Sequence, residues 1–220
     1  MIKLNGVSKY YKLLDKKRSV LKDIDFVFDR GVNIGVLGNN GAGKSTLFRL
    51  ISGSEMPDKG NIIRTSSVSW PLGFTGGFHG SLSGKDNIQF AARIYGRDQK
   101  EVFNFVTDFA ELGPYIYNPI KSYSSGMKAR LAFGLSMAID FDFYLIDEVI
   151  AVGDAKFKKK CKLLLNERRK TSTMLLVSHS NSLLRDFCQA GIILRNGSFL
   201  YYPNIEDAIM EHELQSILEE

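Results

Sequence analysis

The sequence predicts an α/β fold, and three stretches carry that prediction. The apolar run Val32 to Leu37 reads as a buried strand; it leads into the glycine-rich segment Gly38 to Thr46, and a helix-like run, Ser45 to Ile51, follows. A second apolar run, Phe143 to Ile146, closes on Asp147-Glu148. A third, Met174 to Val177, closes on Ser178-His179. Short apolar runs alternating with helical segments are what a mostly parallel sheet with helices on its faces requires.

The other elements follow in order. Ile2 to Val7 alternates weakly and opens the chain as a strand. Ser8 to Arg18 is basic and aromatic, with Tyr10 and Tyr11, and Ser19 to Phe28 is extended, with Leu21, Ile24, Phe26 and Phe28 apolar. Asp29-Arg30-Gly31 is a turn. Met56 to Gly60 is a second turn before a short strand near Asn61 to Thr65, and Val68 to Pro71 leads into a glycine-rich loop through Gly84. Ser83 as N-cap with Asp86 three residues on marks a helix start. Asn87 to Tyr95 and Gln99 to Leu112 carry helical periodicity. Phe90, Ile94, Phe103, Phe105, Val106, Phe109 and Leu112 are expected to pack these helices together, and Gly113-Pro114 ends them. Ser124 to Ala138 and Asp154 to Arg169 are further helices, two short strands lie around Ile192 and Leu200, and the tail from Asn204 is an acidic amphipathic helix. The expected organisation is a single domain over 1–220, with a helical subdomain at about 84–140 and a C-terminal helix at about 204–220.

The segment GNNGAGKST fits G-x-x-x-x-G-K-[ST] at Gly38, Gly43, Lys44 and Ser45. Backbone N–H groups must crowd around a phosphate, and glycine permits both the positive φ and the close approach. The helix N-terminus beneath adds partial positive charge. Lys44 can reach the β- and γ-phosphates, and the Ser45 hydroxyl can ligate Mg²⁺. A parallel strand presents its C-terminal end to the ligand crevice, so Asp147 can hold the same Mg²⁺ and Glu148 can act as general base on an attacking water. An acidic pair after a strand is weak evidence alone; about 100 residues after a phosphate loop it is specific. Tyr123 to Met127, YSSGM, precedes a helix, and Ser125, the Gly126 backbone and the helix N-terminus form a second anion site. His179 ends a core strand on the ligand side and can sense a γ-phosphate. Asp154, in Val152-Gly153-Asp154, can also cap the helix after it.

The chain of 220 residues is 44% hydrophobic, enough for one α/β domain with a small insertion. Its net charge of +5 is scattered, and the densest cluster, Lys156 with Lys158 to Lys160, falls on a helix as a solvated face, so no nucleic-acid partner is expected. Cys161 and Cys188 form no C-x-x-C pair, which suits a reducing compartment. The N-terminus does not read as a signal peptide, and no run reaches the ~18 apolar residues of a membrane span, so any membrane crossing is expected to belong to another chain.

Taken together, these motifs resemble the nucleotide-binding subunit of ATP-binding cassette (ABC) transporters, over residues 1 to about 200 and in the family's order. GNNGAGKST is similar to its Walker A loop, YSSGM to its signature, FYLIDE to its Walker B, VGDA to its D-loop, and His179 to its switch histidine; Tyr11 lies where the family stacks adenine. The resemblance implies an ABC-type P-loop NTPase with a RecA-like mixed sheet core, an antiparallel β subdomain and an inserted α-helical subdomain. It implies an ATPase using ATP and Mg²⁺. Gly38, Asn39, Asn40, Gly41, Ala42, Gly43, Lys44, Ser45 and Thr46 would surround the phosphates, and Ser45 and Asp147 would hold the metal. Lys44, Glu148 and His179 would serve catalysis. Ser124, Ser125 and Gly126, with Asp154, would contact nucleotide across a homodimer. SWPLGFTGGFHGSLSGKDN, YSSGMKARLAFGLSMA and DEVIAVGDAKFKKKC further resemble bacterial polysaccharide exporters, closest to the capsular export ATPases of the polysialic acid type. Such subunits sit peripherally on the cytoplasmic face of the inner membrane, beneath an integral membrane permease, with periplasmic and outer-membrane partners continuing export. The family's coupling surface would fall in Trp70 to Asn87. The chain stops about 20 residues past the core, which favours the capsule type over O-antigen and teichoic acid exporters with an appended domain.

Three departures stand out. Ser125 replaces the first glycine of the signature. The family's Q-loop glutamine is missing between Ser69 and Ser83, and Gln89 lies too far along, inside a helix. Tyr10 neighbours Tyr11, and the sequence does not choose between them. A soluble ABC ATPase acting on nucleic acid or ribosomes would usually bring tandem cassettes or long coiled-coil insertions. A P-loop kinase would leave YSSGM and His179 unexplained.

Overall fold

The structure is a computed structural model that describes residues 1–13, 16–72, 77–147 and 154–218. These residues form two compact units, the first from 1–13, 16–71, 141–147 and 171–218, the second from 72, 77–140 and 154–170.

The first unit carries two sheets. Strands β1 (Ile2–Leu13), β2 (Lys16–Phe28) and β4 (Lys59–Arg64) form an antiparallel sheet in the order β2-β1-β4. Its buried face places Ile2, Leu4, Leu21, Ile24 and Phe28 in the core, with strict alternation interrupted by register shifts along β1 and β2. The expected opening strand therefore runs past Val7, and the aromatic stretch with Tyr10 and Tyr11 is part of it. Pairing with β2, not local periodicity, extends β1 this far, through several register shifts.

The second sheet has the order β5-β6-β7-β3-β8-β9, from β5 (Val68–Leu72), β6 (Phe143–Asp147), β7 (Thr173–Val177), β3 (Ile34–Leu37), β8 (Ala190–Arg195) and β9 (Ser198–Tyr202). Strands β6, β7, β3 and β8 run parallel, and β9 pairs antiparallel to β8. All four residues of β3 and all five of β7 are buried, which is why these strands read as unbroken apolar runs. Asn33 is buried just before β3 and is satisfied there: its Oδ1 accepts from the Met174 amide at 2.8 Å. Helix α1 (Lys44–Ser52) follows β3. Helix α6 (Asn181–Phe187), capped by Ser180, and helix α7 (Ile205–Leu218) complete the unit. Helix α7 buries Ile205, Ala208 and Ile209 but leaves Met210, Leu214, Ile217 and Leu218 exposed, so its apolar residues are not gathered on the core side as an amphipathic helix would have them.

The second unit is helical: α2 (Gly84–Ile94), α3 (Gln99–Ala110), two 3-10 turns, α4 (Ser125–Ala138) and α5 (Ala155–Arg168). The expected capping box opens α2, with the Asp86 amide donating to Ser83 Oγ and the Ser83 amide donating back to the Asp86 carboxylate. Phe109 is the hub, its ring 5.5 Å from Phe133 and 5.3 Å from Phe157. The expected packing of Phe90 and Ile94 is overturned: they are 57% and 61% exposed, while Ile88 and Ala92 are buried. Two residues along a helix turn through about 200°, so Phe90 and Ile94 lie on the side opposite the Ile88–Ala92 stripe. Helix α4 is buried nearly all round from Leu131 to Met137, and Gln89 lies within α2. Cys161 and Cys188 are free and buried, and burial pushes both thiols up to about 12, so neither is a reactive thiolate.

Candidate functional site

The phosphate loop begins where β3 runs out of partners. Gly38, Gly41 and Gly43 have φ of 142°, 78° and 108°. A Cβ at Gly38 would lie 2.5 Å from the Leu194 carbonyl oxygen, and one at Gly43 2.6 Å from Val20 Cγ1. Both conformation and space therefore exclude a side chain at these positions. The Ala42 amide donates to the Asn39 oxygen at 3.0 Å, closing the turn, and the Leu47 amide donates to the Gly43 oxygen at 2.8 Å, starting α1. Asn39, Asn40 and Gly41 are exposed at the loop's tip, whereas Thr46 is buried and accepts from Arg49 through its Oγ1. The Lys44 ammonium folds over the loop and donates to the Gly38 oxygen at 2.5 Å and the Asn39 oxygen at 3.2 Å.

The end of β6 meets the start of α1. Ser45 Oγ donates to Asp147 Oδ2 at 3.0 Å, across 102 positions of sequence. A hydroxyl and a carboxylate this close are a hard-oxygen pair suited to Mg²⁺, which takes one or two protein oxygens and completes its shell with water and phosphate. Glu148, like Val152 and Gly153, lies outside the described residues.

Three cavities line the loop among the described residues, and two of them include Lys44. One, of about 610 Å³, is lined by Tyr11, Arg18, Gly41, Lys44, Ser45 and Asp147, among others. The other, of about 440 Å³, is lined by Gly38, Lys44, His179, His212, Glu213 and Ser216, among others. His179, exposed just beyond β7, thus shares a cavity with Lys44. Tyr11 faces the first cavity, whereas Tyr10 lines a separate hollow with Asp23 and Lys59.

Tyr11 is held rigidly. Its hydroxyl donates to both Glu55 oxygens, at 2.7 and 2.8 Å, and accepts from Arg49 at 3.0 Å. Lys9 pairs with the same carboxylate at 3.0 Å. Burial would raise the Glu55 pKa, but hydrogen bonds from Arg49, Tyr11 and Lys9 together outweigh it and hold the carboxyl at about 2. The same Glu55 hydrogen bond raises the Arg49 pKa.

The signature residues lie in the second unit. Ser124 is the N-cap of α4, its Oγ accepting from the Met127 amide at 3.2 Å, and Ser125 and Gly126 open the helix with Ser125 exposed. Tyr123 is buried beside them and donates to the Tyr115 oxygen at 2.7 Å, fixing the approach to the helix. Asp154 caps α5 as expected, accepting from the Phe157 amide at 2.8 Å, and pairs with Arg130 at 2.8 Å. The Phe157 amide and Arg130 keep its carboxyl below the usual range. Sequence reasoning passed over Arg18, whose guanidinium donates to the Gly41 oxygen at 3.3 Å, and His212. Neither belongs to a local pattern; each reaches the loop only through the fold.

The family model described as ABC transporter matches residues 21–151. The chain belongs to the ABC transporter family. The capsule polysaccharide export ATP-binding protein CtrD of Neisseria meningitidis serogroup B is 53% identical over 208 residues, 94% of this chain and 96% of the relative. The polysialic acid transport ATP-binding protein KpsT of Escherichia coli is 47% identical over 222 residues, 100% of this chain and 99% of the relative. Among solved structures, an ATP-binding cassette captured as a dimer with ADP and Pi superposes with a TM-score of 0.79 at 20% identity, over 93% of this chain and 99% of that one. At that identity the likeness speaks for the fold, and the ABC ATPase fold read from the motifs is the one found.

Proposed function

We propose that this protein is the ATP-hydrolysing subunit of a bacterial exporter of lipid-linked capsular polysaccharide, working as a homodimer on the cytoplasmic face of the inner membrane. The observation that carries the chemistry is the Ser45–Asp147 contact at 3.0 Å in the cavity that also holds Lys44. The length and identity of the match to capsule export subunits support the cargo.

ATP is the substrate. The loop amides and the N-terminus of α1 receive its phosphates, and Lys44 exchanges the Gly38 and Asn39 carbonyls for phosphate oxygens. Tyr11 offers its ring to the adenine, held in place by Glu55 and Arg49. Mg²⁺, held by Ser45 and Asp147, supplies charge neutralisation at the phosphates. Glu148 accepts a proton from the attacking water, and His179 contacts the γ-phosphate. Ser124, Ser125 and Gly126 of one protomer, with Asp154 nearby, complete the site of the other, the helix N-terminus supplying an anion-binding end. Among the described residues no helix is long and apolar enough to cross a membrane. In this reading a separate permease supplies the path, meeting the cassette through Trp70 to Asn87, and periplasmic and outer-membrane proteins carry the polymer onward.

The test is complementation. In a capsulated bacterium lacking its own export ATPase but retaining the permease, the parental gene should restore polymer to the cell surface, and Lys44→Ala should not. Purified Lys44→Ala should also lose ATP hydrolysis. Polymer retained inside cells that hold stable, ATPase-competent parental protein would sink the cargo; normal hydrolysis by Lys44→Ala would sink the site.

A further inference from the structure

Helix α7 arrives at the phosphate loop from the far end of the chain. Its first half is seated on the sheet through Ile205, Ala208 and Ile209. Its second half brings His212, Glu213 and Ser216 to the cavity lined by Gly38, Lys44 and His179. Side-chain hydrogen bonds tie it to α6. Asn181 Nδ2 donates to Glu213 Oε1 at 2.6 Å, and Arg185 Nε donates to both Glu206 oxygens, at 2.9 and 3.0 Å.

Asn181 is the first residue of α6 and lies two positions after His179. Between them, the Ser180 amide donates to Ser178 Oγ at 3.0 Å, and Ser180 Oγ accepts from the Leu183 amide at 3.4 Å. The imidazole is thus carried on a short strand-to-helix connection. Its upstream end is fixed by the buried strand β7, and its downstream end is fixed by where α6 begins. One side-chain bond that grips that downstream end from outside the connection is the one to Glu213, charge-assisted and short.

We propose that α7 is a wall of the γ-phosphate side of the site and that Glu213 is a positioning residue for His179, acting through Asn181. This rests on the assignment of His179 to the phosphate. Glu213 touches no reacting atom in this scheme. It narrows the range of positions from which the imidazole approaches, so it contributes to turnover more than to nucleotide affinity, which the loop and Tyr11 supply.

The test uses the purified full chain with MgATP, comparing the parental protein with Glu213→Ala, Glu213→Gln, His179→Ala and the Glu213→Ala/His179→Ala double variant. Losing one charge-assisted hydrogen bond should lower kcat about three- to tenfold in Glu213→Ala. The KM for ATP should stay within about twofold. Glu213→Gln keeps an acceptor oxygen and should recover most of the rate. The double variant should be no slower than His179→Ala, because positioning an absent imidazole has no value. Amide exchange over residues 178–183 should quicken in Glu213→Ala and return to the parental rate in Glu213→Gln; this readout holds even if His179→Ala is too slow to assay. A parental kcat in Glu213→Ala, the same fractional loss in the His179→Ala background, or unchanged exchange would overturn the positioning role while leaving the assignment of His179 intact. A parental kcat in His179→Ala would overturn that assignment, and the positioning role with it.

Discussion

Replacing Glu55 by glutamine keeps the side chain's shape and removes its charge, so it isolates what the carboxylate does for the wall that carries Tyr11. In the folded protein the carboxyl titrates at about 2 against an ordinary 4.5. At 1.36 kcal/mol per pH unit, that difference corresponds to about 3 kcal/mol. The side chain retains 21% exposure, so solvent screening trims the figure to about 2 kcal/mol. Because the folded-state pKa is depressed, this stabilisation is fully present above the unfolded value of 4.5 and is lost as the pH falls toward 2. Glu55→Gln should therefore melt about 4–8 °C below the parental protein at pH 7. The gap should narrow steadily as the pH is lowered from about 5 toward 3, and be read by calorimetry or by thermal melts followed at one tyrosine signal. A second consequence is local: with a neutral partner, the Tyr11 hydroxyl and Arg49 bond less tightly, so the KM for ATP should rise about two- to fivefold while kcat changes little. A melting gap that stays constant between pH 7 and pH 3 would refute the electrostatic account, since it would show that packing alone was lost.

Gly38→Ala should cost at least about 2 kcal/mol and abolish ATP binding, because a Cβ there meets the Leu194 oxygen at 2.5 Å with φ at 142°; an unchanged melting temperature with normal binding would contradict it. Glu148→Gln should bind ATP without turning it over and should elute as a persistent dimer on a sizing column, and hydrolysis at the parental rate would move the general base elsewhere. Two heterodimers test which protomer completes each site. With Lys44→Ala on one protomer and Ser125→Arg on the other, both defects fall in one composite site and hydrolysis should survive, reduced by lost cooperativity; with both changes on one protomer, each site is damaged and hydrolysis should fail. The reverse order of activities would place the signature in its own protomer's site.

The sequence by itself determined the parts whose chemistry is written in adjacent residues. The spacing of Gly38, Gly43, Lys44 and Ser45 already implies the loop, because the φ values and the Cβ exclusions found there are local demands of wrapping a phosphate. The carboxylate at the end of an apolar strand was legible for the same reason, as were the caps at Ser83 and Asp154, which act within three residues. What is set by contacts between distant segments was not legible. The pairing of Ser45 with Asp147 was expected as a shared metal site, but the 3.0 Å contact across 102 positions is set by strand order, with β7 seated between β3 and β6. The burial of Ile88 in place of Phe90 depends on which side of α2 found a partner, and apolar character alone does not encode that. Helix α6 has only seven residues, too few to show a period. Tyr11 and Tyr10 are equivalent as sequence; pleat direction sends one toward the loop and the other away. His212 and Glu213 reach the phosphate loop only because α7 docks back onto the sheet beside β3 and β8, a juxtaposition produced by burying Ile205, Ala208 and Ile209, which no local pattern around residue 212 announces.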